Sequence, residues 1–322
     1  MAITDNASYG PTLNEFIPHW GDVLVALPPD KPLVLKSGLT RAGLITLRDE
    51  LGTQLDLVQE ELNDVETATE ALKQKKAVLL ARLNEFNGIV DSYYEGTTFQ
   101  AARPLAPGIG EGEEKFTEPL RDMKSLWAKL NAAPAPTGLT LPLVLDGNFA
   151  LADFTLLLQG LKDAFEAVAL AEQDLKIERL RREAKHKVIY ESLRQYRLAV
   201  PARLPNNEVL LAALPRLTPG PGSTPDAVNA SAVFQAPNQF KVVYDASEAA
   251  DLKEYQLRGN VGATFKSEDA VVIATNAKDA PREFVSAFGL TQPGAKVSVS
   301  VYVITNAGNQ KGSPPMTITR PA

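Results

Sequence analysis

Two histidines, at positions 19 and 186, are the side chains here best suited to moving a proton near neutral pH or to holding a metal. His19 adjoins Trp20, and Asp22 lies two residues beyond; His186 falls on an otherwise apolar stripe. An enzyme would need a cleft joining His19, Asp22 and acids of the chain's other helical repeat; without one, His19 reads as a packing or capping residue. Neither histidine has a second His or a Cys at ligand spacing, so no zinc site is expected. The chain contains no cysteine, which excludes disulfides, thiolate ligands and thiol nucleophiles. Gly-x-Ser-x-Gly, Walker and EF-hand patterns do not occur. The segment PGIGEGEE (107–114) has the glycines of a phosphate loop. It lacks the following Lys-Ser/Thr, though, and runs into two acids that would repel phosphate, so it reads as a flexible linker. The basic run KIERLRREAKHK (176–187) could meet nucleic acid or anionic lipid. It carries no interleaved aromatic and reads instead as a solvated helix face or as one side of ion pairs between helices. Asn6-Ala7-Ser8 and Asn229-Ala230-Ser231 match the glycosylation pattern but carry no weight without an export signal. These readings point to no enzyme, no cofactor and no metal.

A net charge of −6 argues against nucleic-acid binding, and no apolar run approaches the 18 or more residues of a membrane span. The N-terminal residues lack the basic-then-apolar pattern of a Sec signal. The expectation is a soluble protein, either cytoplasmic or exported by a non-Sec route, with the compartment left open.

The elements that would position any site repeat. PLVL occurs at 32–35 and at 142–145. Sliding the chain by 110 residues sets Leu44 on Phe154, Leu51 on Leu161, Leu79 on Ile189, Leu83 on Leu193, Phe86 on Tyr196 and Val90 on Val200. Trp20 and Trp127 correspond after a three-residue gap. Each copy reads as a short Trp-bearing helix (12–27; 119–132), a proline-containing loop through PLVL, and one long helix (41–95; 150–200). Apolar residues in each long helix recur at alternating threes and fours, the stripe of a coiled coil. Fifty residues at 1.5 Å each make a rod of about 75 Å, which needs a cover for its stripe; the other copy is the obvious one.

The charge pattern favours an antiparallel pair. Residues 41–70 carry net −6 and 71–90 net +3; residues 153–174 carry net −4 and 176–197 net +5. Antiparallel packing opposes acidic and basic halves, although helix dipoles account for part of the trend. The expected organisation is a first helical repeat (1–105), a second (106–217) forming one helical domain with it, a Pro/Gly linker (218–226) and a C-terminal β region (227–322). Trp20, Trp127, Leu33, Leu35, Leu143 and Leu145 are expected in the core. Lys76 and His186, at matching places on the two stripes, are expected to set register as polar residues in an apolar seam.

From residue 228 onward Val, Thr and Ser rise, and seven short strand-like runs follow: 228–234, 239–245, 254–261, 270–275, 282–288, 296–305 and 314–320. The stretch LTQPGAKVSVSVYVITNAGNQKGSPPMTITRP resembles the last third of a fibronectin type III domain. Leu290, Gly294, Val299, Val301, Val303, Asn306, Gly308 and Ser313 fit the family's Leu-x-Pro-Gly corner, alternating strand and Asn-x-Gly turn. FKVVYDAS resembles its second strand, with Tyr244 in place of the usual Trp, and EYQL its third, with Tyr255; the corner tyrosine is Val297 here. The resemblance covers 226–322 and implies a seven-stranded β-sandwich with Tyr244, Tyr255 and Leu290 in its core, acting as a binder or spacer rather than a catalyst. The expected fold class is therefore a duplicated helical unit with two long antiparallel coiled-coil-like helices, followed by this sandwich. The leading expectation for function is a non-catalytic structural protein. A rigid helical stalk would carry the sandwich into a homomeric assembly such as a surface layer, filament or particle. The alternative is a soluble adaptor whose sandwich captures a protein or carbohydrate.

Overall fold

The computed structural model describes residues 2–222 and 224–321. A 3-10 turn (Asn6–Ser8) leads into α1 (Tyr9–Ala26) and the long helix α2 (Arg41–Tyr93). A short α3 (Thr98–Ala101), α4 (Glu113–Ala132), the long α5 (Leu151–Arg203) and a short α6 (Glu208–Ala212) follow. Helix α4 starts six residues earlier than the sequence suggests, so the last two residues of the linker read over 107–114 belong to the helix. Glu113 and Glu114 occupy the first turn, where the helix dipole favours acids, and Pro119 is carried inside the helix.

The chain forms two compact units, residues 1–63 with 175–322, and residues 64–174. The second has one core. Phe116, Leu120, Met123, Trp127 and Leu130 of α4 pack with Leu79, Leu83, Phe86 and Val90 of α2, with Phe154 and Leu161 of α5, and with Leu143 and Leu145. Here α2 and α5 run antiparallel: Lys76 lies over Phe165, and Arg82 over Phe149.

The first unit has two cores. In its helical core, Leu13, Phe16, Trp20 and Val23 of α1 pack with Leu44 and Leu51 of α2, with Ile189, Leu193, Tyr196 and Val200 of α5, and with Leu33 and Leu35. The antiparallel sense recurs: Glu50 pairs with Lys185, and Gln54 bonds Glu178. Both PLVL segments end in a tight turn that needs a left-handed residue, supplied by Gly38 (φ 79°) and by Asn148 (φ 58°). The Leu35 amide donates to the Leu39 carbonyl, and the Leu145 amide to that of Phe149.

The second core of this unit lies between two antiparallel sheets. One has the order β1 (Ala230–Gln235), β2 (Gln239–Tyr244), β5 (Glu283–Ser286). The other has the order β4 (Val271–Ala277), β3 (Leu252–Val261), β6 (Lys296–Thr305), β7 (Gln310–Gly312), with β8 (Met316–Thr319) also on β6. Among the described residues that is eight strands, one more than the seven expected. Both β7 and β8 lie along β6, and the break between them falls at Ser313-Pro314-Pro315, where prolines offer no N–H to the ladder. Phe240, Val242, Tyr244 and Phe284 of one sheet meet Tyr255, Leu257, Val299, Val301 and Val303 of the other, with Leu290 and Val297 fully buried among them.

Candidate functional site

The most elaborate polar chemistry among the described residues sits where the outer face of the β3–β6 sheet meets the helices of the same unit. Alternation along β3 sends Tyr255 and Leu257 inward and Gln256, Arg258 and Asn260 outward. These outward residues are nonetheless buried, because the N-terminal turn and helices cover them. Arg258 Nη1 donates to Asp5 Oδ2 at 2.7 Å, its other nitrogens bond Gln256 Oε1 and Gln310 Oε1, and its guanidinium lies 4.2 Å over the Tyr302 ring. Asp5 also caps the turn by accepting from the Ser8 amide.

A second lock centres on Asp269, whose side chain is 0% exposed. Its carboxylate accepts from Arg182 Nη1 at 3.0 Å and from Arg179 Nε at 3.0 Å, with Arg179 Nη2 on its other oxygen. The hydrogen bond to Asp269 raises the Arg179 pKa. Arg182 is itself only 2% exposed. Gln59 bridges the same place, donating to the Asp269 carbonyl at 2.6 Å and accepting from the Val261 amide at 3.1 Å. The basic run 176–187 is thus split in use: Lys185 makes the expected ion pair between helices, while Arg179 and Arg182 hold the sandwich. Composition could not reveal that second role, because Asp269 lies in a loop 87 residues past Arg182 and neither segment marks the other as its partner.

Beside these locks lies a groove of about 800 Å³. Its helical wall is Gly10, Pro11 and Asn14 of α1 with Gly52, Leu55 and Asp56 of α2; its other wall runs along β4. The Lys253–Glu15 ion pair lies at its margin.

The residues singled out by sequence occupy separate places. Trp20, Trp127, Leu33, Leu35, Leu143, Leu145, Tyr244, Tyr255 and Leu290 are all buried. Trp127 Nε1 donates to the Leu143 carbonyl at 3.1 Å, whereas Trp20 Nε1 has no partner among the described residues. Lys76 Nζ donates to the carbonyls of Ile109 (3.1 Å) and Glu111 (2.7 Å) and lies over Phe116 and Phe165. The loop that precedes α4 is therefore pinned by a buried ammonium, and that burial lowers the Lys76 pKa. Among the described residues His19 hydrogen-bonds no acid. Its Nδ1 stands 2.7 Å from the Tyr196 hydroxyl and its Nε2 2.9 Å from the Leu210 carbonyl. A carbonyl can only accept, so Nε2 carries the proton and Nδ1 accepts from Tyr196. Burial raises the pKa of that tyrosine far above its ordinary value.

His186 is 5% exposed and stacks on Tyr9 at 3.9 Å, with Nε2 unpartnered among the described residues. Burial first, and then Arg182, push its pKa down to about 4. Tyr190, Glu183, Lys187 and Glu191 also surround it. The imidazole is neutral in the fold and charges more readily in the unfolded chain. Its contribution is therefore complete above about pH 6.5 and is lost as pH falls towards 4. Allowing for partial solvent access, about 2 kcal/mol of stability disappears across that window. Denaturant midpoints measured from pH 7 to pH 4 should show it, and His186→Phe should flatten that part of the profile. A resonance assigned to His186 that titrates near 6.5 in the folded protein would refute the assignment.

No family model matches the chain, and no curated protein matches it significantly. Partial likenesses to solved structures exist. The FN1-FN3 domains of chicken CNTN1 are 15% identical over 33% of this chain and 34% of that one, with a TM-score of 0.27. An Fn3-like protein from Clostridium thermocellum is 19% identical over 31% of this chain and 97% of its own, at 0.25. Pectate lyase PelI from Erwinia chrysanthemi is 16% identical over 29% of this chain and 28% of that one, also at 0.25. The chain thus spans about a third or less of CNTN1 FN1-FN3 and PelI. Several neighbours are fibronectin type III domains, and none bears on the helical region. What stands for this chain is long antiparallel helices joined to a C-terminal region of two antiparallel sheets. Among the described residues no helix is long and apolar enough to cross a membrane.

Proposed function

We propose that this protein is a non-catalytic structural subunit of a homomeric assembly. It would be built from a duplicated helical unit and a fibronectin type III-like sandwich of seven strand positions, the last of them interrupted at Pro314-Pro315. Duplication is supported by the correspondence of the two helical cores, place by place. Trp20 packs on Tyr196 and Trp127 on Phe86, which are matching positions under the two sequence offsets. The pair Tyr9–His186 stands where Phe116–Lys76 stands in the other copy. The hydrogen-bonded pair His19–Tyr196 corresponds to Leu126–Phe86, which is wholly apolar. Exchanging both partners of a buried polar pair for apolar groups is close to neutral for stability. That exchange suits a packing residue better than a proton-transfer residue.

The observation that carries the assembly reading is a second apolar face on α5. Ile177, Leu180 (56% exposed), Val188 (52%) and Leu198 are all solvent-facing. At 100° per residue they fall within an arc of about 80°, shared between Val188 and Leu198 with Glu191 and Gln195, on a helix whose buried stripe is already used. A stripe of this kind on a surface helix is the form of a helix-packing contact. The locks at Asp269 and Asp5 fix the sandwich against the helices of its unit, as a building part requires. Light scattering on the native protein should give a mass that is a multiple of 34.8 kDa. Leu180→Glu with Val188→Glu should reduce it to the monomer while leaving the circular dichroism unchanged. A monomer at every concentration and salt would sink the reading.

A further inference from the structure

Strand β4 pairs with β3 on one side and, among the described residues, with no other strand, so its second edge is unpaired. Edge strands are ordinarily blunted by charge, proline or a covering element, because a row of free N–H and C=O groups templates another strand. Residues 271–275 read Val-Val-Ile-Ala-Thr, with neither charge nor proline. Val271, Val272 and Ile273 all line the 800 Å³ groove, together with Thr275. Ile273 is the extra residue of a bulge opposite Leu257 and Arg258, so strict alternation does not hold across it; the groove is placed along the edge of β4 by its other lining, which comes from β5, itself the edge strand of the second sheet. Ser286 and Phe288, from the end of the β5 strand and just beyond it, form part of the same lining.

The helical wall is made for room. Gly10, Pro11 and Gly52 face the groove, and a Cβ added at Gly10 or Gly52 would meet nothing within 4 Å. The volume lies within the range of formed ligand sites, about 300–1,000 Å³. With a helical wall opposite the edge, the space suits a single extended strand better than the edge of a second folded sheet. Charge narrows the occupant further. The lining holds Glu15, Asp56 and Glu254 against Lys253 alone, and Lys253 is already paired with Glu15. A second copy of this chain is a poor match, because its basic run (176–187) lies within the helix α5 and not in an extended segment.

We infer that this groove binds an extended, cationic segment of another polypeptide, which adds to the free edge of β4 as a further strand. Main-chain hydrogen bonds to residues 271–275 supply the affinity, alternate side chains enter the space beside Leu55 and Phe288, and Asp56 and Glu254 select basic residues. The inference stands on the groove alone and does not depend on the assembly reading.

The test uses the full chain and a fluorescent heptapeptide of alternating lysine and valine, followed by anisotropy. Saturable binding is expected, with hydrogen exchange slowed at 271–275. It should weaken at least tenfold when alternate peptide amides are N-methylated, when glutamate replaces lysine, or in the Gly52→Leu protein. Gly52→Leu places a side chain in open space on an exposed helical position and favours the helix, so loss of binding would not reflect unfolding. Asp56→Lys should weaken the lysine peptide and improve the glutamate one. Three results would overturn the inference: no saturable binding, binding indifferent to both N-methylation and Gly52→Leu, or self-association of the chain that Gly52→Leu abolishes. The last would identify a second copy as the occupant.

Discussion

Asp269→Ala should cost about 3–5 kcal/mol, read as a large fall in the denaturant midpoint of the protein. The lost attraction is the smaller part of that figure. Arg182 is 2% exposed and its Nε already lacks a partner among the described residues. Removing the carboxylate leaves a guanidinium buried without a counter-charge, which is far worse than the absence of both groups. Arg179, with 30% of its side chain exposed, can turn to water and should matter less. The double change Asp269→Leu with Arg182→Met should therefore recover most of the loss. A coupling of 1–3 kcal/mol is expected between residues 182 and 269, and much less between 179 and 269. Gln59 reaches the same loop through the Asp269 main-chain carbonyl, a bond the substitution leaves in place. Its persistence confines the expected damage to the arginine side of the lock. A loss below about 1 kcal/mol for Asp269→Ala would show that water reaches Arg182 and that the sandwich is only loosely held.

The two long helices were legible because fourteen positions of α2 alternate in threes and fours, a period that only a helix satisfies. The strands were legible for the matching reason: KVSVSVYV alternates strictly, and it forms β6. Less could be read where the signal is a relation between distant residues. Arg179 and Arg182 look like solvated cations in their own helix, and their partner is identified only once the chain has folded. The same holds for Lys76. Its place on the stripe was visible, but the acceptors that make its burial tolerable are main-chain carbonyls of a loop, and a carbonyl leaves no mark on composition. The groove along β4 was equally hidden. Gly10 precedes the helix read over 12–27 and Gly52 falls inside the one read over 41–95, and only their placement opposite an unpaired strand turns missing side chains into space. His19 is a further case. Its sequence setting beside Trp20 reads as packing or capping, but the partners that fix it, the Tyr196 hydroxyl and the Leu210 carbonyl, are 177 and 191 residues away.

Trp20→Ala and Trp127→Ala should each destabilise by about 3–5 kcal/mol, since both indoles are fully buried at the centres of their cores. The Phe substitutions should separate them. Trp127 Nε1 donates to the Leu143 carbonyl, and the Leu143 amide in turn donates to Asn131 Oδ1 at 2.7 Å. Trp127→Phe therefore leaves a buried acceptor unpaired and should cost about 1–3 kcal/mol beyond the lost ring volume. Four residues past Trp20 the chain has Leu24 in place of Asn131, and Trp20 Nε1 is already a buried donor without a described partner. Trp20→Phe removes that orphan along with part of the ring, so the two terms oppose each other and the net change should be below about 1.5 kcal/mol. The contrast bears on how the copies have diverged. Equal packing with unequal polar wiring predicts that the alanine variants agree and the phenylalanine variants do not. If Trp20→Phe proves as costly as Trp127→Phe, the Trp20 indole has a hydrogen-bond partner after all, and the asymmetry between the copies lies elsewhere. If the alanine variants differ by more than about 2 kcal/mol, the cores are not energetic equivalents and the duplication loses its main physical support.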